Sequence, residues 1–460
     1  MNGFTQRSLS RRRFLQFTGL TASVALLAAC PAPAAAPGAA PAGGDAAAPG
    51  AEVKKLEAWS RMTDVAQESI KGIIDNYNQK NEKNVEVEFV FIAQTQGSQA
   101  DEKLLTAVAA GTPPALHYAD RFTVPQFAHE GFFTNIKDLA DGAGVTKDLY
   151  FDFAWDETVY KDGIYALSFD TDTRALWYNK DIMADAGLDP EKPPTNLDEL
   201  REATAALTVK GSSGAIERYG FNPIYDQAWL YTWGFAFEGQ FQDPETKRIT
   251  FNNEQNVAAM EAVKSFVEEI GIEDIDAMLA ACAGGQCSGE NDYFWKELSA
   301  MTCSGNWKVA QAKRYKPDTN FGVVPFPGPN GPAPYASWAG GWSWAIPKGY
   351  ADVESAFDAC FYFCGPEGQE KYNKDTYHVP TIKSVAEDPF FREDPLHAVF
   401  MDLLPVSHAR PPIPLGSKLW DLQFKAFRDE IPHGLKTPEQ ALQDIDDEIN
   451  KGLEEIGFFA

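Results

Sequence analysis

Basic residues are scarce in this 460-residue chain: 40 Lys and Arg stand against 66 Asp and Glu, a net charge of −26. That balance disfavours nucleic acid and anionic lipid surfaces as direct partners, since both are held by clustered cations. It argues more weakly against phosphate or another anion as ligand. The six His are scattered, and no His/Cys spacing has the form of a zinc site, so no metal and no cofactor are expected. Gly-x-Ser-x-Gly, His-Glu-x-x-His and phosphate-loop motifs are missing, which removes the hydrolase and nucleotide chemistries they carry. The apolar stretch from Phe17 to Ala29 is too short to span a bilayer, which takes about 20 residues.

That stretch follows Arg11, Arg12 and Arg13, and the pair reads as a signal peptide over residues 1–29. The consecutive arginines before Phe14 and Leu15 suggest the twin-arginine export route. Leu27-Ala28-Ala29-Cys30 then resembles a bacterial lipobox, in which Cys30 is acylated and becomes the mature N-terminus. Acyl chains insert at about 0.8 kcal/mol per methylene, and two or more anchor stably. Residues 31–50 are almost all Ala, Pro and Gly, so residues 30–52 read as a lipidated tether. Four of the 40 basic residues lie in residues 1–29, which leaves 36 against 66 and a mature charge of −30.

The remaining body of about 400 residues is too large for one core, so two lobes are expected. Val53–Trp59 reads as a strand, with Thr63 or Asp64 capping a helix that carries Ile70, Ile73, Ile74 and Tyr77. Val85–Phe91 alternates apolar and acidic residues and reads as a strand. Ser98 opens a second helix, and Ala115–Ala119 is a strand that delivers Asp120 and Arg121 to a loop. Strand–helix–strand order implies a parallel α/β sheet. Ile164–Phe169 and Ala175–Tyr178 are further strands. Thr195 caps a helix, Glu254–Ile270 is a long helix, and Thr437-Pro438-Glu439-Gln440 is a capping box. Cys282 and Cys287 bound a short loop that a disulfide can close, and two free thiols are the alternative. Cys303 stands alone, while Cys360 and Cys364 sit four apart in an apolar helix and read as buried thiols.

In their order, several segments resemble the family 1 extracellular solute-binding proteins, the maltose-binding-protein-like subunits of bacterial ABC importers. The segments are Asp120-Arg121-Phe122, Gly131-Phe132-Phe133, Gly163-Ile164-Tyr165-Ala166-Leu167-Ser168 and Ala175-Leu176-Trp177-Tyr178-Asn179-Lys180-Asp181. Ala186-Gly187-Leu188, Met301 to Trp307, Gly340-Gly341-Trp342 and the C-terminal capping box complete the series. Ser168, where Pro is common, and the Cys282–Cys287 loop depart from the pattern. The resemblance implies a two-lobed α/β fold of the periplasmic binding class II type, with a ligand cleft between lobes joined by hinge strands. It places residues 53–164 and 319–377 in lobe 1, and residues 165–318 and 378–460 in lobe 2. It implies a monomeric, lipid-anchored, extracytoplasmic binder that delivers a carbohydrate to membrane permease subunits.

Carbohydrate chemistry fits the composition, which includes 11 Trp and 16 Tyr. A pyranose has an apolar face that stacks on an aromatic plane, and hydroxyls that need paired donors and acceptors. Trp59 and Arg61 follow the first strand, at the carboxyl end where α/β sheets bind ligands. Trp342 follows Gly340 and Gly341, which let backbone approach a ligand closely. The resemblance adds Asp120, Arg121, Asp172, Trp229, Trp233, Trp307 and Trp420, and Trp338 and Arg410 are further candidates. For each Trp the plain alternative is core packing. A polyamine is the alternative ligand, since acids and aromatics also suit cations. A secreted glycosidase is the distant alternative, with Asp170 and Asp172 about 7 Å apart on one strand face as its carboxylate pair.

Overall fold

The computed structural model describes residues 53–93, 101–283, 286–332 and 338–459. The expected signal peptide, Cys30 and the tether lie outside the described residues.

Two sheets organise the body. The first has five strands: β1 (Lys54–Ser60), β2 (Val85–Phe91), β3 (Leu116–Asp120), β4 (Ala166–Ser168) and β8 (Trp342–Ala345). Their order is β2-β1-β3-β8-β4. β1 runs parallel to β2 and β3, and β8 runs antiparallel to β3 and β4. Helices Asp64–Lys80 and Val353–Cys364 cover it with Ile70, Ile73, Ile74, Phe357, Cys360 and Phe363. The second sheet has three antiparallel strands, β5 (Arg174–Asn179), β6 (Met301–Gly305) and β7 (Phe321–Val324), in the order β6-β5-β7. A larger core packs against it, built from helices Leu230–Ala236, Glu254–Ile270 and Pro438–Glu455.

Residues 53–164 and 165–318, the first two expected segments, meet between Ile164 and Tyr165. In the strand pairing, however, Ala166–Ser168 belongs to the first sheet. Likewise Phe321–Val324 belongs to the second sheet, although the expected lobe 1 resumes at Thr319. The chain therefore leaves the first sheet over residues 169–173 and is back in it at Trp342, after β7 has ended at Val324. Short apolar runs such as Ala166-Leu167-Ser168 suit either sheet, and only cross-strand partners decide between them. Caps differ in detail too. Asn196, not Thr195, caps helix Leu197–Leu207, and Thr195 instead bonds Glu199 through both its N–H and its hydroxyl.

Cys282 and Cys287 are joined in a disulfide, with their Cα atoms 4.8 Å apart. Cys303, Cys360 and Cys364 are free and buried. Among the described residues no helix is long and apolar enough to cross a membrane, and no His/Cys/Asp/Glu group could hold a metal ion.

Candidate functional site

The register of the two sheets gathers polar and aromatic residues at one edge of each. In the first sheet β1 ends at Ser60, just before Arg61, and β3 ends at Asp120, opposite Trp342 at the start of β8. In the second, Arg174 at the start of β5 lies opposite Gly305 at the end of β6, and Asn306 and Trp307 follow. The crossing segment 169–173 joins the two edges.

Arg410 bridges them. Its two terminal nitrogens donate to the Asp120 carboxylate at 2.6 and 3.2 Å. Its guanidinium lies 4.8 Å from the ring centre of Trp338, and that ring lies 3.6 Å from the guanidinium of Arg174. Arg174 in turn donates to the Asp172 carboxylate and to Gln227. Burial pushes the Asp120 carboxyl up, but Arg410 and then Arg61 pull it further down, so it stays below the usual carboxylate range. The Asp120 carboxylate is therefore held charged by guanidinium groups, and the Asp120–Arg410 and Asp172–Arg174 pairs form a fixed set of donors and acceptors.

The other expected site residues divide into three groups. Trp307, Trp342, Trp229 and Arg61 are half-buried, so part of each remains open to solvent. Trp307 stacks on His378 at 5.8 Å. Any side chain at Gly305 would overlap the Trp307 ring, so the glycine sets where that ring lies. Trp342 stacks on Tyr118 at 5.1 Å, and the guanidinium of Arg61 lies 4.3 Å from its centre. Trp229 packs on Trp420 at 5.4 Å, and Trp420 lies 5.6 Å from Arg410.

Asp120, Asp172, Trp338, Arg410 and Trp420 form the buried floor. Trp338 donates through Nε1 to Thr232 at 3.0 Å.

Arg121, Trp233 and Trp59 are spent elsewhere. Arg121 is fully buried. Its Nε donates to Glu157 at 3.0 Å, and its other nitrogens donate to the backbone oxygens of Asp170 and Gly340. It holds the crossing segment and offers nothing to a ligand. Trp233 is 0% exposed, donates to Pro223 O and packs edge-on against Phe326. Trp59 is 7% exposed, and its Nε1 donates to Glu57.

Arg174, Gln227, His378 and Arg428 join the site residues in the structure. Arg174 sits two residues from Asp172 in extended backbone, so the two share a face. Trp420, Phe424 and Arg428 recur every four residues on one helix face, and Arg428 lies 4.9 Å from the Trp229 ring. Those spacings are visible in the sequence. Nothing there places His378 against Trp307.

A family profile described as bacterial extracellular solute-binding protein matches residues 72–399. The maltotriose-binding protein of Pyrococcus abyssi is 26% identical over 387 residues, covering 81% of this chain and 75% of its own length. The sn-glycerol-3-phosphate-binding periplasmic protein UgpB of Escherichia coli is 25% identical over 300 residues, 60% of this chain and 64% of its own length. A solved mannobiose-bound protein, CpMnBP1, is similar in fold at a TM-score of 0.76 with 26% identity. The match covers 86% of this chain and all of that one.

Proposed function

This chain belongs to the bacterial extracellular solute-binding proteins, and from that premise we propose that it binds a carbohydrate between its two sheets and delivers it to an ABC importer. One observation carries the proposal. Two buried carboxylate–guanidinium pairs, Asp120–Arg410 and Asp172–Arg174, flank Trp338, with the half-buried Trp307, Trp342 and Trp229 around them. Fixed polar pairs can meet sugar hydroxyls, and partly open indoles can meet the C–H faces of the rings. Two of the three similar proteins support it by name, since one binds maltotriose and another mannobiose, while the third binds sn-glycerol-3-phosphate.

A polyamine is less suited to this site. Its carboxylates already hold arginines, and a cation would meet four guanidinium groups, those of Arg61, Arg174, Arg410 and Arg428. Hydrolysis is disfavoured in the same way. Asp170 accepts from Trp342 N and Tyr118 OH, and Asp172 accepts from Arg174 and Gly340 N, so neither carboxyl is placed to attack a glycosidic bond.

We place the protein outside the cytoplasm as a monomer, held to the membrane by acylated Cys30 and handing its ligand to permease subunits. Cys30→Ser should leave the exported protein soluble, and a variant that stays in the membrane fraction would refute the anchor. The ligand assignment is tested by denaturing the purified protein and identifying the released small molecule by mass spectrometry. A mono- or oligosaccharide supports the assignment, and a polyamine overturns it.

A further inference from the structure

Arg428 has the surroundings of a ligand contact rather than of a structural arginine. Arg121, Arg174 and Arg410 each pair with a carboxylate, from Glu157, Asp172 and Asp120. Among the described residues Arg428 has neither an ion pair nor a hydrogen bond, and its Nε is sealed from water without a partner. Its guanidinium lies 4.9 Å from the centre of Trp229 and 5.6 Å from that of Phe424. A guanidinium held face-on by rings keeps its N–H donors at the rim, where a planar oxyanion can take two of them. Two acids act on Arg428 from nearby: Asp429, next in the chain and exposed, and Asp226, which is already engaged by Lys308 at 3.5 Å and by Thr302 Oγ1 at 3.2 Å. Burial lowers the guanidinium only to about 10, so it stays charged at neutral pH. Arg61, beside Trp342, likewise has no ion pair among the described residues. The chain as a whole is acidic, yet Arg61 and Arg428 are two guanidinium groups at this cleft without an ion pair among the described residues. The terminal nitrogens of Arg428, which are not sealed, are the donors a ligand can reach, and a neutral hydroxyl would satisfy only part of the fork.

We propose that Arg428 determines specificity for an acidic group on the bound saccharide, a carboxylate or phosphate taken by the guanidinium fork while the adjoining sugar ring lies against Trp229. This rests on the carbohydrate assignment and names the substrate class more narrowly.

The test uses the purified protein with Arg428→Met, which keeps bulk without charge, and Arg428→Lys, which keeps charge without the fork. The probes are digalacturonate, its neutral digalactose counterpart, and inorganic phosphate, with uronate and phosphate as separate arms. The wild type should bind digalacturonate at least about tenfold more tightly than digalactose, with the preference lost in Arg428→Met and reduced in Arg428→Lys. Phosphate should raise the melting temperature of the wild type above that in chloride of equal ionic strength, and the rise should vanish in Arg428→Met. If neither saccharide binds but the phosphate effect still depends on Arg428, the acid site stands and the carbohydrate assignment falls. If digalactose binds and Arg428→Met weakens both sugars equally, or phosphate acts alike on wild type and variant, Arg428 is not an acid receptor and the proposal is overturned.

Discussion

Trp233 and Trp307 show how one residue type serves two ends. Trp233 is fully buried in the larger core, so Trp233→Ala should lower unfolding free energy by about 3–5 kcal/mol. Trp307 is half-buried at the end of β6, so Trp307→Ala should melt close to the wild type and lose about 2 kcal/mol or more of ligand affinity. Denaturant melts and calorimetric titrations of the two variants check both halves, and a Trp307→Ala variant that melts far below wild type with affinity intact would make that ring structural. Asp170 offers a pH test at the crossing segment. Burial first, then Asp172, raises its carboxyl to about 7. The folded protein therefore holds a proton there that the unfolded chain loses near pH 4, and this contribution to stability declines as pH rises from about 4 through 7. Asp170→Asn keeps the neutral form and should remove that part of the slope, as denaturant unfolding at pH 5 and pH 8 would show. Equal slopes in the two proteins would mean that the carboxyl titrates normally.

Elements were readable where their signals are local. Val85–Phe91 and Glu254–Ile270 form as their alternation and helical spacing require. The capping box at Thr437 and Gln440 makes both of its reciprocal bonds. Thr437→Ala should cost about 1 kcal/mol, read as a shifted denaturation midpoint, and no shift would mean that the cap contributes nothing. The Cys282–Cys287 bridge closes a six-residue loop, so in the chain-entropy account its removal by paired Ser substitutions should cost about 2 kcal/mol. Sheet membership was not readable. Ala166–Ser168 and Phe321–Val324 are apolar on either assignment, and the partners that decide lie more than 100 residues away for the pairing of Ala166–Ser168 with β8.

At the scale of the whole molecule, the sequence points to the family and to the aromatic and acidic residues of the proposed cleft, but not to their orientation. Asp120 and Arg410 are 290 residues apart and meet only because both sheets present their edges to one site. Arg121 stands next to Asp120 yet faces Glu157, since adjacent residues at a strand end diverge. A ligand that touches both sheets favours the closed arrangement through its differential affinity for it. Small-angle scattering should then give a smaller radius of gyration with cognate sugar, whereas an unchanged radius at saturation would indicate a rigid receptor. The most direct measurement is a calorimetric titration of the purified, ligand-stripped protein with a panel of mannobiose, maltotriose, digalacturonate and spermidine, repeated on Trp307→Ala. At least one saccharide should bind, with tryptophan emission shifting on binding and the affinity falling in the variant. Binding of spermidine without any saccharide, or saccharide binding that Trp307→Ala leaves unchanged, would contradict a carbohydrate cleft built around these rings.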